Sequence, residues 1–247
     1  MYTDLNIIIP VYNEGPNINK AFSMIARHAK MPYFPYVIYD FDEDDTLPAV
    51  RELMKKDKRI CLLKNKYGRG SLNAIRTGFD AVKEGVVLVM MADLCDDLNI
   101  INDMFKKIND GNDLVCGSRY MKGGKQLYGP VFKGFLSRVA GLSLHHLTKI
   151  STHDVTNSFK MYTKDLLNAI EIESTGGFEL GMEITVKAYV RGYRIAEVPS
   201  VWSGRVSGRS RFRFRSWLPG YIRWYIYAIQ HRNDRKNQDR GINGQGS

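Results

Sequence analysis

The first 118 residues alternate regularly between strand-like and helix-like hydrophobic patterns. Largely apolar runs of strand length occur at 5–11, 36–41, 60–63, 86–91 and 114–117, and the run at 86–91 is uninterrupted. Between them, apolar residues recur every three or four positions, which is typical of helices that are buried on one side. Strands that alternate with helices indicate βαβ units, so the chain is predicted to have an α/β fold with a mostly parallel sheet covered by helices on both faces.

Acidic and amide side chains follow three of these predicted strands. Asn13 and Glu14 come after the first strand, an acidic cluster at 40–45 after the second, and another at 93–97 after the fourth. Ligands of parallel α/β sheets bind at the carboxyl ends of the strands. We therefore expect the three clusters to open onto one crevice.

The second half of the chain is less regular. Residues 131–150 predict an amphipathic helix, 179–190 a second helix and 217–229 an aromatic one, and 157–162 and 193–198 suggest strands. The apolar residues assigned to the first of these helices are Phe132, Phe135, Leu136, Val139 and Leu142. The stretch at 203–215 is rich in Gly, Ser and Arg, and the residues after 231 are polar, so the tail is predicted to be disordered.

The net charge of +10 is unevenly distributed. Residues 1–118 carry 15 Lys and Arg against 17 Asp and Glu, whereas residues 119–247 carry 21 against 9. Such asymmetry favours an anionic partner: a phosphate-bearing substrate, a membrane surface or nucleic acid. A solvated basic face is the alternative.

Composition limits the class of protein further. With 44% hydrophobic residues the chain can bury a core. Its three cysteines show no zinc spacing and their odd number argues against a disulfide framework, which favours a reducing compartment. No signal peptide is visible, and no apolar stretch is long enough to cross a bilayer, so we expect a cytoplasmic protein.

Several short motifs, in order and with matching spacing, resemble one known family. These are Ile9-Pro10-Val11-Tyr12-Asn13-Glu14, Asp40 with Asp44-Asp45-Thr46, Ala92-Asp93-Leu94, Gly117-Ser118-Arg119-Tyr120, Ser137-Arg138, Asp154-Val155-Thr156-Asn157-Ser158, Met182-Glu183, Glu197-Val198-Pro199, and Arg205 followed by Gly208 and Ser210-Arg211-Phe212. Over most of residues 5–215 the chain resembles the inverting glycosyltransferases of family two, which have the GT-A fold. Within that family it most resembles the dolichyl- and polyprenyl-phosphate sugar synthases.

The resemblance implies a nucleotide site in the first half. It assigns to the donor nucleotide the residues Pro10, Tyr12, Asn13, Glu14, Asp40, Asp44 and Gly70. Carboxylates at these places would accept hydrogen bonds from a base or ribose. The alternatives are that Asn13 or Glu14 caps the following helix and that the acids form a solvated turn.

A divalent metal is implied after the fourth strand. In the family a pair of Asp residues separated by one position holds Mg²⁺ or Mn²⁺ on the donor diphosphate. Asp93 matches the second Asp, and Asp96 is a candidate for another oxygen ligand. The chain departs from the pattern because Met91 stands in place of the first Asp; Cys95 is interpreted as a packing residue.

Arginines are the expected phosphate ligands, because the guanidinium binds phosphate with two hydrogen bonds and stays charged. The resemblance assigns catalysis to Asp93, Arg119 and Arg205, the last on a loop that closes over the site. It assigns the acceptor and its phosphate to Arg138, Asp154, Ser158, Glu183, Ser210 and Arg211. For Arg209, Arg213 and Arg215 a solvated stretch is the alternative.

The expected reaction moves a sugar from a GDP- or UDP-sugar to a polyprenyl or dolichyl phosphate with inversion. A phosphate monoester is already anionic near neutral pH, so a strong general base is unnecessary. A saccharide acceptor would need a base, for which Glu183 is the candidate. Its alternative role is that of a helix residue paired with a nearby Arg.

The last part of the chain suggests a membrane surface as a partner. Cations and aromatic residues alternate over 211–217 and precede the aromatic helix, which suits an interfacial segment. We expect a catalytic domain at 1–216, an interfacial helix at 217–230 and a disordered tail at 231–247. Attachment to an anionic membrane would be peripheral, on the cytosolic face, or through a membrane protein partner.

Three other functions remain open at this point. The first is a glycosyltransferase with a saccharide or other non-lipid acceptor. The second, motivated by Met91, is a degenerate nucleotide-sugar binder. The third is a nucleic-acid binder that uses the arginine and aromatic stretch; we expect no nucleic acid, because the acidic clusters would repel phosphates.

Overall fold

A computed structural model describes residues 1–128, 131–204 and 214–234, without the side chains of 214–217. Within these ranges the chain forms one large sheet, a small two-stranded sheet and eight α-helices. The strands are β1 Leu5–Val11, β2 Tyr33–Tyr39, β3 Cys61–Lys64, β4 Val86–Val89, β5 Leu114–Ser118, β6 Lys125–Leu127, β7 Lys160–Thr163, β8 Ile195–Pro199 and β9 Val201–Ser203.

The helices alternate with the strands as the hydrophobic pattern predicts. They are α1 Gly15–His28, α2 Thr46–Lys56, α3 Ser71–Ala81, α4 Ile101–Asn109, α5 Val131–Thr148, α6 Lys164–Ala169, α7 Leu180–Val190 and α8 Phe214–Gln230, with a 3₁₀ turn at Leu98–Ile100. Residues of α1, α2 and α4 bury one face of the sheet, and residues of α3, α7 and α8 bury the other. The predicted α/β architecture with helices on both faces is confirmed.

The seven strands of the large sheet lie in the order β3-β2-β1-β4-β7-β5-β8. All neighbouring pairs are parallel except those that involve β7, which runs antiparallel to both β4 and β5. The carboxyl ends of β2, β1, β4 and β5 therefore meet at one edge, together with the amino end of β7. Of the predicted site residues, Asp40, Asp93 and Arg119 directly follow or come shortly after strands that end at this edge.

The second strand starts earlier than the sequence predicts. It covers Tyr33–Tyr39, although Pro35 lies within it, and Asp40 directly follows it. Only Tyr36–Tyr39 pair with β3, so the part that contains Pro35 is hydrogen-bonded on the β1 side alone. Proline is tolerated at such a sheet edge because it has no N–H to contribute to a second neighbour.

Two differences concern the second half. The strand predicted at 157–162 begins only at Lys160, and residues 154–159 form a loop at the common edge. The small parallel sheet of β6 and β9 carries no alternating apolar pattern and is not predicted from the sequence.

The last helix packs against the rest of the fold more closely than the sequence suggests. Helix α8 begins at Phe214, so the predicted boundary at 216/217 falls within it, and Trp224 and Ala228 are buried in the core beside α7. The tail predicted to be disordered lies outside the described residues from 235 onward. Among the described helices, none is long and apolar enough to span a membrane.

Candidate active site

The loops after β1 and β2 are tied together by acidic side chains. Asp44 is buried, and both its carboxylate oxygens accept the backbone N–H of Asn13 at 3.1 Å. One of them also accepts the N–H of Thr46 at 2.8 Å, at the start of α2. Because its oxygens are engaged inside the protein, Asp44 stabilises the loop rather than presenting a carboxylate to a ligand.

The backbone at Gly15 packs closely against this loop. A Cβ on Gly15 would lie 2.6 Å from the carbonyl oxygen of Asp45. This distance is too short for any residue other than glycine. Glu14 donates its N–H to Thr46, and its carboxylate accepts the side-chain amide of Asn17 at 2.8 Å. The structure thus brings the ends of β1 and β2 into contact, as the crevice hypothesis requires.

Asp40 and Gly70, both predicted at the nucleotide, lie in direct contact. The Asp40 carboxylate accepts the N–H of Gly70 at 2.9 Å and the side-chain amide of Asn65 at 2.8 Å. Gly70 has a φ of 125°, which non-glycine residues rarely adopt. Asp40 therefore fixes the shape of the loop at 68–70, beside the end of β2.

Two aromatic side chains and an arginine pack together next to Asp40. Tyr12, after Pro10 in β1, packs edge-on against Phe41 with ring centroids 5.1 Å apart. The guanidinium of Arg69 lies over the Phe41 ring, 5.1 Å from its centroid. Phe41 and Arg69 were not predicted as site residues; their positions directly after Asp40 and before Gly70 are the signal that identifies them.

Asp93 and Asp96 follow β4, the strand next to β1. Asp93 accepts the backbone N–H of Cys95 at 3.2 Å, and the buried Asp96 accepts that of Met91 at 3.3 Å. Burial raises the pKa of Asp96 to about 7, and the charge of Asp93 adds to the shift. The sequence correctly predicts that both acids lie at the common edge.

The residues at this position do not form a complete divalent-metal site. In the described ranges 1–128, 131–204 and 214–234, no group of three or more His, Cys, Asp or Glu side chains is arranged to hold a metal ion. Asp96 is occupied by the backbone of Met91. Asp93 is the residue that matches a metal ligand of the family, and Met91 stands in place of the other acid.

Arg119, directly after β5, is held by Asp154 in the loop before β7. Its Nε lies 2.7 Å from Asp154 Oδ2 and its Nη2 2.9 Å from Oδ1, and Nη2 also donates to Ser137 and Thr156. Burial alone would raise the pKa of Asp154, but the Arg119 guanidinium outweighs burial and holds that pKa below its usual value. Most of the Arg119 donors are thus engaged within the protein, so this arginine orders the site.

The buried Lys160 supports the same loop and was missed in the sequence. Its ammonium donates to the carbonyl oxygens of Val155, at 2.9 Å, and Asn157. Burial lowers the pKa of Lys160. A lysine at the start of a short strand, just after the polar stretch Thr156-Asn157-Ser158 and Phe159, is the signal that could have identified it.

Ser158 lies where the two halves of the site meet. It lines a narrow cavity beneath the common edge, together with Met91 after β4, Ser71 from α3, and Gly177 and Phe178 from the loop before α7. The resemblance assigns Ser158 to the acceptor, and that role stays a prediction. The shared lining with Gly177 and Phe178 could not be read from the sequence.

The interpretation of Glu183 as a base needs correction. Its carboxylate is fully buried in α7 and accepts the backbone N–H groups of Glu173, at 2.6 Å, and Ser174, at 2.9 Å. Lys187, one helical turn further on, lies 2.8 Å away. A carboxylate bound in this way has no access to an acceptor hydroxyl, and its cation is Lys187 rather than the expected Arg.

Helix α5 also differs from the prediction. Its apolar residues were assigned to a buried face, yet Phe132 and Phe135 are 66% and 61% exposed, and Val131 and Val139 are exposed as well. Arg138 lies exposed among them. The neighbouring α8 exposes its own apolar stripe, and we call the two together the apolar face: Val131, Phe132, Phe135 and Val139 of α5, with Leu218, Ile222 and Ile226 of α8.

The two helices of the apolar face are held together by packing and by a hydrogen bond from Tyr225 to Ser143, of 2.9 Å.

Three further predicted site residues, Arg205, Ser210 and Arg211, lie outside the described residues.

The family is shown by the sequence itself. Residues 6–171 match the model of Glycosyl transferase family 2, which is about two thirds of the chain. The chain is therefore a member of glycosyl transferase family 2, and it is a glycosyltransferase by class.

Two characterised relatives are similar over nearly the whole chain. The dolichol-phosphate mannosyltransferase of Pyrococcus furiosus is 28% identical over 91% of this chain and 63% of its own length. The polyprenol monophosphomannose synthase of Mycolicibacterium smegmatis is 26% identical over 93% of this chain and 88% of its own. The chain thus spans less than two thirds of the archaeal relative.

Solved structures agree with the fold. Glucosyl-3-phosphoglycerate synthase from Mycobacterium tuberculosis in complex with UDP superposes with a TM-score of 0.67 at 14% identity, covering 93% of this chain and 80% of that one. A complex of the same enzyme with Mn²⁺, UDP-glucose and phosphoglyceric acid gives a TM-score of 0.65 at 15% identity, covering 94% and 79%.

Proposed function

We propose that this glycosyltransferase moves a sugar from a nucleoside-diphosphate sugar to a polyprenyl phosphate, with inversion at the anomeric carbon. One observation carries the proposal: the ends of β2, β1, β4 and β5 and the start of β7 meet at one edge. That edge places Asp40 and Asp93 on one side and Arg119 and Ser158 on the other. Strands in a sheet are about 4.8 Å apart, so the site spans about 20 Å across five strands.

The side formed by β2 and β1 suits a nucleoside. Tyr12, Phe41 and Arg69 supply flat surfaces on which a base can stack. The Asp40 carboxylate lies beside them and can accept hydrogen bonds from a ribose hydroxyl or a base N–H. Both GDP- and UDP-sugars fit this chemistry.

The proposed reaction is one displacement. A phosphate oxygen of the acceptor forms a bond to the anomeric carbon, and the bond from that carbon to the diphosphate oxygen breaks. The electron pair of the broken bond leaves on the nucleoside diphosphate. The developing negative charge on the leaving group requires cationic side chains that are positioned beforehand.

An acceptor phosphate fits the site better than an acceptor hydroxyl. A phosphate monoester has a second pKa of about 6, so it is a nucleophile near neutral pH without a base. Glu183, the base expected for a hydroxyl acceptor, is buried against Lys187 and two backbone N–H groups. The names of the two characterised relatives support the same acceptor class.

The apolar face is proposed to rest on an anionic membrane surface. Phe132 and Phe135 offer side chains that can enter the lipid boundary, and Arg138 offers a charge for the headgroups. The basic excess of residues 119–247 favours the same partner. A lipid acceptor would then lie beside Ser137 of α5 and Arg119, whose guanidinium donates a hydrogen bond to Ser137.

A transfer assay tests the function. GDP-mannose and UDP-glucose are each incubated with the protein and either a polyprenyl phosphate in detergent or a soluble saccharide. Labelled lipid is the expected product, and it should disappear in Asp93→Asn but not in Asp103→Asn, an exposed change on α4. Transfer to the saccharide alone would overturn the proposed acceptor, and no transfer to either would overturn the function.

A further inference from the structure

The end of β4 has one of the two carboxylates that the family pattern places there. The segment reads Met91-Ala92-Asp93, so a thioether stands two residues before the acid. Met91 is partly buried and packs against the core on the α3 and α7 side, where Ile75 and Leu180 line the same cavity. Its sulfur is a soft atom among apolar side chains, whereas Mg²⁺ and Mn²⁺ prefer carboxylate, carbonyl and water oxygens.

The other acids of this segment are engaged with the protein. Asp96 accepts the N–H of Met91 and is buried. Asp97 caps the 3₁₀ turn through Asn99 and accepts the N–H of Val201 at 3.2 Å, which ties β9 to this loop. These backbone hydrogen bonds hold both carboxylates in place. Of the three acids, Asp93 alone stands at a position that the family pattern gives to a metal ligand.

Positive charge for the diphosphate can come from the protein instead. A divalent ion on a donor diphosphate neutralises the charge that builds up as the sugar leaves. Arginine supplies the same charge together with two directed hydrogen bonds to phosphate. Arg69 already lies at the common edge, over Phe41 and next to Gly70, and residues 119–247 carry 21 Lys and Arg against 9 acids.

From these contacts we infer that the chain binds its nucleoside diphosphate without a divalent cation. Met91 packs where the family pattern has a second carboxylate, and cationic side chains replace the ion. The inference rests on the proposed function, because it concerns the same donor site. Asp93 then acts as a hydrogen-bond acceptor for the donor rather than as a metal ligand.

Nucleotide binding in the unaltered chain is the decisive measurement. UDP and GDP are titrated by calorimetry in EDTA and again with Mn²⁺ or Mg²⁺. We expect dissociation constants that agree within about twofold, whereas tightening by tenfold or more with metal, about 1.4 kcal/mol, would overturn the inference. If neither nucleotide binds in either buffer, the proposed function itself fails, and that result is distinct from binding that requires metal.

A gain-of-dependence variant provides the second arm. Met91→Asp restores two acids separated by one residue, and Met91→Leu is the matched control that keeps an apolar side chain. In Met91→Asp, Mn²⁺ should tighten UDP or GDP binding at least tenfold, and electron paramagnetic resonance should show Mn²⁺ retained in the presence of nucleotide. Met91→Leu should show neither effect.

For each variant, the quantity compared is the ratio of the dissociation constants with and without metal, so a general loss of affinity does not affect it. An equal metal response in Met91→Asp and Met91→Leu would contradict the role given to Met91. Circular dichroism checks that each variant is folded. Should Met91→Asp fail to fold, the titration of the unaltered chain still decides the question.

Discussion

Arg119 and Asp154 form a two-pronged ion pair, with Nε–Oδ2 at 2.7 Å and Nη2–Oδ1 at 2.9 Å. The pair joins the end of β5 to the loop before β7, across 35 residues of sequence. The Asp154 side chain is fully buried and that of Arg119 is 12% exposed. Removing one partner of such a pair leaves the other charge buried without compensation.

Asp154→Ala is therefore expected to lower the free energy of unfolding by about 3 kcal/mol or more. Chemical denaturation followed by fluorescence measures the change. Asp110→Ala is the matched control, because it removes the exposed ion pair with Lys106 on α4 and should have little effect. Equal losses in the two variants would contradict the structural role of the buried pair.

The same pair predicts a pH dependence of stability. The folded-state pKa of Asp154 is lower than its usual value, so the unfolded chain takes up this proton first as the solution becomes acidic. The stabilisation is present above the unfolded pKa of about 3.9 and is lost as the pH falls through the lower folded value.

Denaturation at several pH values tests this dependence. The difference in stability between the unaltered chain and Asp154→Asn should be constant from pH 5 to 7 and shrink below about pH 4. A difference that grows on acidification would show that the sign of the pKa shift is wrong.

Asp40 is predicted to matter for the nucleotide through its bond to Gly70. Asp40→Ala should weaken UDP or GDP binding by about tenfold, because a charge-assisted hydrogen bond and the loop anchor are lost together. Calorimetry measures the affinity. Asp42→Ala, an exposed acid two residues further on, should leave it unchanged.

Glu183→Gln separates a structural role from a catalytic one. Because Glu183 is paired with Lys187 inside α7, the variant should lower the melting temperature while the folded protein keeps its turnover within a few fold. Loss of a general base would instead reduce turnover by about 10² to 10⁴ and alter the pH profile. Turnover per folded molecule, measured from pH 5 to 9, distinguishes the two.

Membrane binding is predicted to depend on the apolar face. The protein should sediment with vesicles that contain anionic lipid at low salt, and Phe135→Ser or Arg138→Glu should reduce the bound fraction several-fold. Lys106→Glu, an exposed change on α4, is the control for charge. Equal binding of all variants would refute the assignment of this face.

The order and the approximate positions of the elements in the first half of the fold could be predicted. Strand β1 matches its apolar run at both ends, and the buried residues of α4 are the ones that the helical spacing selects. These elements form through local patterns and a sheet buried on both faces, so the sequence carries the information directly. For the same reason, the acids after β2, β1 and β4 could be placed at one edge.

The contacts of the second half could not be predicted in this way. Arg119 was expected to bind phosphate. Nothing in the sequence near it indicates that Asp154 accepts its hydrogen bonds. An apolar stripe predicts only that a helix face is shielded from water; it does not tell whether the same chain or a partner covers that face. The exposure of Phe135 was missed for this reason. For Glu183 a local signal did exist, since Lys187 lies four residues further along the same helix.

The reversed direction of β7 has a consequence for how such an enzyme can change. At the common edge, the parallel strands are followed by their loops. Because β7 is antiparallel to β4 and β5, the loop at this edge is the one that precedes β7. The loop at 154–158 thereby reaches the common edge without belonging to the βαβ units that build the rest of it. Under the proposed function, the acceptor side and the donor side are then encoded in separate stretches of the gene, so one can diverge while the other is retained.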